Sequence, residues 1–356
     1  MVIKLPGLID PHVHLREPGA THKEDWDTGT KAGLAGGFTV LLAMPNTDPP
    51  ITSQGTLEIA LTAAKHNAHL DYAQFLGATK ENYRSVKEIA SQAAGLKMYL
   101  NETYGPLYLE DMTIWQEHFL QWPGNLPISV HAEGRTLGAV LLFSILYDKH
   151  VHICHVARRE EILMIKAAKE KGVKVTCEVS PHHLFLTEND ISHENPGRWE
   201  VRPRLATPDD QLALWENLEL IDCFATDHAP HTLEEKDGDH PPPGFPGLET
   251  ALFLFLSAVA EGRLTLEDVI KRMYINPQRI FKVPDQGDTW IEVDPEPIWD
   301  IRAENTFTRC GWTPFEGWKV RGRLKQVTVR GKLAFQDGKV MAKTGYGKNI
   351  RKEGAV

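Results

Sequence analysis

Short β-prone runs alternate with longer stretches of helical period between residues 3 and 230, and this alternation limits the possible folds more than any other feature. Eight strands are predicted, at residues 3–14, 38–45, 71–78, 96–100, 127–133, 150–156, 174–180 and 221–227. Helices are predicted between them, notably over 80–93, 158–171 and 208–219. Eight strands in such a pattern predict an α/β fold, a closed (β/α)8 TIM barrel rather than an open sheet.

The chain changes character after the eighth predicted strand. Residues 232–247 form a polar, proline-rich loop, and helical patterns then resume at about 248–262 and 265–274. From about residue 286 the pattern is strand-like, with a hairpin-like alternation and glycine turns over 326–340. We therefore expect a barrel over 8–285 and a small β appendage. The C-terminal segment 286–356 would form most of this appendage, together with residues 1–7.

Composition narrows the class of protein. Hydrophobic residues make up 42% of the 356 residues and charged residues 24%, which is typical of a globular protein with a substantial core. The four cysteines are too few for a disulfide scaffold, and the sequence shows no membrane-spanning run and no secretory leader. We expect a soluble, unsecreted, cytoplasmic protein. The net charge of −9 argues against nucleic acid as a partner, so any specificity for an anion must come from local cations.

Candidate metal ligands close several of the predicted strands, where the chemistry of a (β/α)8 barrel gathers. His12 and His14 end the first strand on one face, because residues i and i+2 of a strand point the same way. His131, His155 and Asp227 close strands five, six and eight. A His-x-His pair alone is more often structural, but this clustering predicts a site for zinc or another late transition metal.

The remaining histidines fit structural or surface positions. Those in predicted helices and loops are interpreted as solvated surface residues: His22, His66, His69, His118, His193 and His240. His182 and His183 follow strand seven, where hydrogen-bonded loop anchors are the favoured interpretation.

Lys97 in predicted strand four is unusual, because a cation that points at a metal would be repelled. Reaction of the neutral amine with carbon dioxide would give a carbamate. This anion has two oxygens and could bridge two metals as a glutamate does. A lysine in a strand is a weak signal by itself.

Six motifs at these positions resemble the amidohydrolase superfamily and, within it, the dihydroorotases. They are Asp-Pro-His-Val-His-Leu-Arg-Glu-Pro-Gly at 10–19, Met-Pro-Asn-Thr at 44–47, Gly-Leu-Lys at 95–97, His-Ala-Glu at 131–133, His-Ile-Cys-His-Val at 152–156 and Asp-His-Ala-Pro-His at 227–231. The similarity is strongest to the dihydroorotase domain of animal multifunctional proteins, which also carry carbamoyl-phosphate synthetase and aspartate transcarbamoylase. Strands that the family places upstream of Met1 are missing, and an excised or engineered domain would explain that start.

The resemblance implies two zinc ions bridged by carboxylated Lys97. His12, His14 and Asp227 would hold one zinc as well, and His131 and His155 the other. The resemblance also implies a third zinc, held by Cys154 and Glu178 beside His131. The alternative for Cys154 is a buried strand cysteine that behaves as a small hydrophobe, because adjacent strand residues normally face opposite ways.

The reaction implied is the reversible closure of N-carbamoyl-L-aspartate to L-dihydroorotate, with Asp227 as both metal ligand and general base. The expected substrate-binding residues are Arg16, Asn46, Arg202 and His231 around the substrate carboxylate, Thr103 and Tyr104 on a lid loop, and Pro243. The resemblance also implies a homodimer and association with other domains of a pyrimidine-synthesis protein. Hydantoinases and dihydropyrimidinases share the metal ligands, and allantoinases carry a different residue at the position of Arg16. These enzymes and a non-catalytic scaffold stay open as alternatives.

Overall fold

The computed structural model describes residues 2–351 of the chain. Within these residues the strands are β1 Ile3–Pro6, β2 Leu8–Val13, β3 Phe38–Ala43, β4 Asp71–Gln74, β5 Leu76–Gly77, β6 Leu96–Tyr99, β7 Ile128–His131, β8 Val151–Ile153, β9 Val175–Val179, β10 Cys223–Phe224, β11 Trp290–Asp300, β12 Lys319–Val329, β13 Lys332–Gln336 and β14 Lys339–Val340. The α-helices of the same range are α1 Trp26–Ala35, α2 Gln54–Asn67, α3 Val86–Ile89, α4 Met112–Gln121, α5 Arg135–Tyr147, α6 Arg159–Glu170, α7 Pro181–Phe185, α8 Pro208–Glu216, α9 Leu233–Lys236, α10 Ala251–Ala260, α11 Leu266–Ile270 and α12 Asn276–Ile280. None of the helices in this described range has the length and apolar character needed to cross a membrane.

The strands from β2 to β10 close into a barrel. Parallel pairing joins β2, β3 and β4 in one sheet and β5 to β10 in a second. Only Phe75 separates β4 from β5, so they act as one barrel strand. The other seam is closed by a parallel bridge between Val13 and His228, where His14 N donates to His228 O at 2.7 Å. The predicted (β/α)8 barrel is confirmed.

The appendage is an antiparallel sheet in the order β1-β11-β12-β13-β14. Its first strand is the start of the run predicted at 3–14, which the structure divides at Gly7. A Cβ at Gly7 would lie 2.4 Å from the Thr39 hydroxyl, so only glycine allows the chain to pass from one sheet to the other here. The β appendage is confirmed. The boundaries 1–7, 8–285 and 286–356 stay a prediction, and Met1 and residues 352–356 lie outside the described residues.

Two sequence predictions were wrong: a long helix over 80–93, and the exposure of two histidines. The helix expected over 80–93 shrinks to α3 and a 3-10 turn, because the Asn82 side chain accepts from Thr79 N at 2.9 Å and organises a turn instead. His69 and His118 are buried rather than solvated. His69 lies 2.8 Å from an Asp27 carboxylate oxygen, and His118 lies 2.8 Å from Thr79 O, so each links a helix or loop to its neighbour.

Candidate active site

A pocket lies at the C-terminal end of the barrel strands. Its lining includes eleven of the residues predicted for the site: His12, His14, Arg16, Asn46, Thr103, Tyr104, His131, His155, Arg202, Asp227 and Pro243. Four further predicted residues lie behind this lining: Lys97, Cys154, Glu178 and His231. Tyr99, Ala229 and Gly244 complete the wall.

The predicted metal ligands converge on Asp227. One of its carboxylate oxygens lies 3.3 Å from His12 Nε2 and 3.1 Å from His14 Nε2. His131 Nδ1 lies 2.9 Å from His155 Nε2. Ligand atoms of His12, His155 and Asp227 all lie within 4.8 Å of one another, so three strand ends present their donors to a common point.

Burial keeps these imidazoles neutral. It lowers the pKa of His12 to about 4, with the positive charge of Lys97 as a further cause, and it lowers the pKa of His14 and His155 well below the usual range. His155 Nδ1 is buried and lacks a hydrogen-bond partner among the described residues, whereas His131 Nε2, also buried, lies 3.3 Å from a Glu133 carboxylate oxygen. Neutral imidazoles with an unused buried nitrogen are the donors that a metal requires, so this set fits a metal site.

Lys97 is fully buried beside this set. Its Nζ donates to Cys154 Sγ at 2.9 Å, and none of the ion pairs within residues 2–351 includes it. An ammonium without a counter-ion is costly in such a position, whereas a carbamate would present an anion toward a bound metal.

Cys154 and Glu178 group with His12. Donor atoms of these three residues lie within 4.8 Å of one another, and Glu178 accepts a hydrogen bond from His12 Nδ1. Among the described residues the structure thus joins the predicted third-site pair to His12 instead of His131. Despite burial, contacts with His12 and His152 lower the pKa of Glu178. His152 Nε2 lies 3.0 Å from the second carboxylate oxygen.

Three predicted site residues have left-handed backbones: Arg16 at φ 59°, His155 at φ 35° and Asp227 at φ 46°. Non-glycine residues seldom adopt this conformation, and it is enriched where side chains are aimed at a ligand. At His155 the turn follows the end of β8 and breaks the strand alternation, which lets both Cys154 and His155 approach the metal ligands.

Polar donors occupy the other side of the pocket. Arg16 Nε donates to Pro230 O at 3.1 Å, and its Nη2 lies 2.9 Å from His231 Nε2. Arg16 Nη1 is buried and has no partner among the described residues. Asn46 Oδ1 lies 2.6 Å from His14 Nδ1, which places the amide beside the histidines. Arg202 is half-buried and donates to a Glu200 carboxylate oxygen at 2.7 Å.

Tyr104 docks the predicted lid loop on these donors. Its ring meets the His231 ring edge-on at 4.9 Å, and its centre lies 5.0 Å from the Arg16 guanidinium carbon. Asn46 Nδ2 donates to its backbone carbonyl at 3.1 Å. Both predicted lid residues, Thr103 and Tyr104, therefore face the pocket.

Sequence reasoning missed two residues that hold this site. The Asp10 carboxylate accepts from Thr226 Oγ1 at 2.5 Å and from His12 N at 3.1 Å, so it ties β2 to the segment that carries Asp227. Its position two residues before His12 was the available signal. Lys23 is buried, and its Nζ lies 3.1 Å from His231 Nδ1 and 3.2 Å from the Tyr104 hydroxyl. Nothing in the sequence separates Lys23 from a solvated lysine.

A closed barrel with histidines, a buried lysine and an aspartate at its strand ends defines a metal-dependent amidohydrolase. Residues 2–102 match the model of the dihydro-orotase-like family. The chain is 39% identical to the dihydroorotase of Pyrococcus abyssi, over 99% of this chain and 88% of that protein. The chain belongs to the dihydroorotase family.

Two further comparisons relate the chain to multifunctional proteins. The chain is 55% identical to the multifunctional protein CAD of Squalus acanthias over 98% of its own length, but it spans 16% of that relative. Its fold matches the inactive dihydroorotase-like domain of the CAD-like multifunctional protein of Chaetomium thermophilum. In that comparison the TM-score is 0.85 and the identity 29%, and the alignment covers 98% of this chain and 99% of the other.

Proposed function

We propose that this chain is a zinc-dependent dihydroorotase that interconverts N-carbamoyl-L-aspartate and L-dihydroorotate. The observation that carries the proposal is the Nη1 of Arg16, which is buried and unpartnered among the described residues, because Arg16 and the histidine cluster form walls of the same pocket. A substrate that satisfies both walls needs a carboxylate for the guanidinium and a carbonyl for a metal. Dihydroorotate carries a carboxylate on a cyclic amide and meets both needs.

The proposed metal centre would hold two zinc ions, with carboxylated Lys97 as a ligand common to both. His12, His14 and Asp227 would bind one, and His131 and His155 the other. When bound, the metals would polarise the substrate carbonyl and lower the pKa of water. Addition of isotope-labelled bicarbonate should give a carbamate signal by NMR that is absent from Lys97→Arg. Absence of the signal from the wild-type protein would contradict the carbamate.

Arg16, Asn46, Arg202 and His231 would hold the substrate carboxylate and fix the ring over the histidines. In the hydrolytic direction, water adds to the ring amide carbonyl and gives a proton to Asp227, the carbon–nitrogen bond breaks, and Asp227 passes this proton to the departing nitrogen. In the direction of ring closure, Asp227 accepts the proton from the ureido nitrogen, and this nitrogen bonds to the side-chain carboxyl carbon. One oxygen of that carboxyl group leaves as water with the proton from Asp227 and one from solvent. Thr103, Tyr104 and Pro243 would enclose the substrate.

We also propose a third zinc held by Cys154 and Glu178. The sequence prediction placed it beside His131, whereas His12 is the histidine that the structure brings to this pair. The donor set of thiolate, carboxylate and imidazole suits zinc.

A non-catalytic scaffold is the second candidate, because the Chaetomium thermophilum relative is described as inactive. Every metal ligand that the dihydroorotase resemblance requires is present in this chain, which favours the enzyme. Zinc-loaded protein should convert dihydroorotate to N-carbamoyl-aspartate, and chelator-treated protein should not. A zinc-loaded protein that leaves dihydroorotate unchanged would favour the scaffold.

The oligomeric state and setting belong to the same proposal. Leu142, Ile145 and Leu146 form an exposed apolar face on α5, with 53%, 59% and 62% of each residue exposed. We propose that this face pairs two copies into a homodimer, since apolar patches of this kind mark interfaces. Leu142→Glu should sediment as a monomer; a wild-type monomer would contradict the pairing. Association with other pyrimidine-synthesis domains and a cytoplasmic location are further parts of the proposal.

A further inference from the structure

Lys236, the last residue of α9, is a buried cation outside the pocket lining. Its side chain has no exposed surface, and its Nζ donates to three backbone carbonyls: Glu200 O at 2.7 Å, Pro242 O at 3.0 Å and Gly244 O at 3.3 Å. The rings of Phe245 and Trp312 lie 5.6 Å and 5.5 Å from the same nitrogen. The three N–H groups of an ammonium match the three carbonyls, and the two ring faces add a cation–π attraction.

The three carbonyls belong to two loops, and Lys236 joins them. One loop contains Glu200 and Arg202, and the other contains residues 240–247. Gly244 N, on the second loop, also donates to Glu200 O at 3.0 Å. Glu200 O on the first loop therefore accepts from both Lys236 and the second loop. A Cβ at Gly244 would lie 2.4 Å from Ala229 O, and the glycine has a φ of 146°, which shows how closely the second loop is pressed against the pocket wall.

Each loop orients one predicted carboxylate-binding arginine. On the first, the Glu200 side chain accepts from Arg202 Nη1 at 2.7 Å. On the second, Phe245 O accepts from Ala229 N at 2.8 Å, and the next residue, Pro230, accepts from Arg16 Nε at 3.1 Å through its carbonyl. A shift of either loop therefore moves a guanidinium.

We propose that Lys236 is a positioning residue: its ammonium clamps the two loops that orient Arg16 and Arg202, and so sets the affinity of the pocket for a substrate carboxylate without touching the substrate. Burial lowers the pKa of Lys236 to about 7 and so carries a cost for the charged form. The three carbonyl contacts offset that cost, and the residue is not paired with a carboxylate among the described ion pairs. This inference rests on the proposed function.

The test compares wild-type protein with Lys236→Met, which keeps the length of the side chain and removes the ammonium. Lys149→Met is the matched control, because the Lys149 ammonium also donates to a backbone carbonyl, Trp122 O at 2.6 Å, but far from either loop in sequence. For zinc-loaded Lys236→Met we expect the KM for dihydroorotate to rise about tenfold to a hundredfold, with kcat within about threefold of wild type. Zinc content should not change.

Hydrogen exchange gives a readout that does not depend on turnover. Exchange should accelerate in Lys236→Met over 196–204 and 240–247 and stay unchanged in the barrel strands, whereas Lys149→Met should change neither KM nor the exchange of these loops.

An unchanged KM in folded Lys236→Met would overturn the inference, as would faster exchange throughout the barrel. If Lys236→Met does not fold, Lys236→Arg keeps the positive charge but cannot match three carbonyls, and an unchanged KM and loop exchange there would also overturn it. If wild-type protein does not turn over dihydroorotate, the proposed function fails, and loop exchange still decides whether the clamp exists.

Discussion

The pocket has two halves that suit ligands of opposite charge. The histidine half consists of His12, His14, His131, His155 and Asp227, and the arginine half of Arg16, Asn46, Arg202 and His231. In the histidine half, burial keeps imidazoles neutral and leaves His155 Nδ1 without a hydrogen-bond partner among the described residues. In the arginine half, a buried guanidinium keeps N–H groups without acceptors. The first half suits a cation and the second an anion.

The two halves also differ in how they are held. Strand ends deliver the histidine half, and Asp10 cross-links two of these ends inside the barrel. Loops carry much of the arginine half, and two buried lysines hold these loops in place. Lys23 contacts His231, and Lys236 joins the loop of Glu200 to the loop of Pro242. Rigid strands suit a metal centre that must keep its geometry, whereas loops allow a lid to close over a substrate.

Asp227→Asn should give the largest loss of turnover. It removes the group that carries the proton and weakens one metal site. We expect kcat to fall by about two to four orders of magnitude. The amide keeps the size of the side chain, so the thermal melting curve should stay close to wild type. A folded variant that keeps a tenth of the wild-type turnover, measured with dihydroorotate, would contradict this role.

Arg16→Gln should affect the arginine half alone. The loss of charge-assisted hydrogen bonds to the substrate carboxylate should lower kcat/KM for dihydroorotate about a hundredfold, with zinc content unchanged. Arg159→Gln, at an exposed position at the start of α6, is the control and should match wild type. Loss of zinc from Arg16→Gln would show that the two halves are not independent.

Cys154→Ser should affect the histidine half without touching the arginine half. We expect metal analysis to find one zinc fewer per chain than in wild-type protein, because a serine hydroxyl is a poor zinc ligand. Cys310→Ser, which changes a buried cysteine remote from the site in sequence, should keep the wild-type zinc content. Equal zinc in Cys154→Ser and wild type would rule out the third metal.

Tyr104→Phe should have the smallest effect. It removes the hydroxyl that accepts from Lys23 and keeps the ring that packs on His231 and Arg16. We expect a rise in the KM for dihydroorotate of about twofold to tenfold, the equivalent of one hydrogen bond. Steady-state kinetics that show no change would mean that the hydroxyl does not hold the lid.

Strand pattern alone groups the residues of the histidine half, whereas the lysines that hold the arginine half escape the sequence, for a physical reason. A barrel places strand ends together, so residues that close predicted strands can be grouped by their positions in the sequence alone. Period-two alternation also puts Asp10 on the face of His12 and His14, although its role as a cross-link shows only in the fold. Loop contacts depend on the folded path of the chain, and so Lys23 and Lys236 look like ordinary surface lysines. The same limit explains the error at 80–93, where the side chain of Asn82 outweighs the helical pattern.

The most direct test of the two-half account is the turnover of dihydroorotate and dihydrouracil, side by side, by zinc-loaded wild-type protein and Arg16→Gln. Dihydrouracil presents the same cyclic amide to the histidine half but carries no carboxylate for the arginine half. We predict that wild-type protein turns over dihydroorotate and not dihydrouracil, and that Arg16→Gln loses most of this preference. Efficient turnover of dihydrouracil by the wild-type protein, or an unchanged preference in Arg16→Gln, would contradict the account.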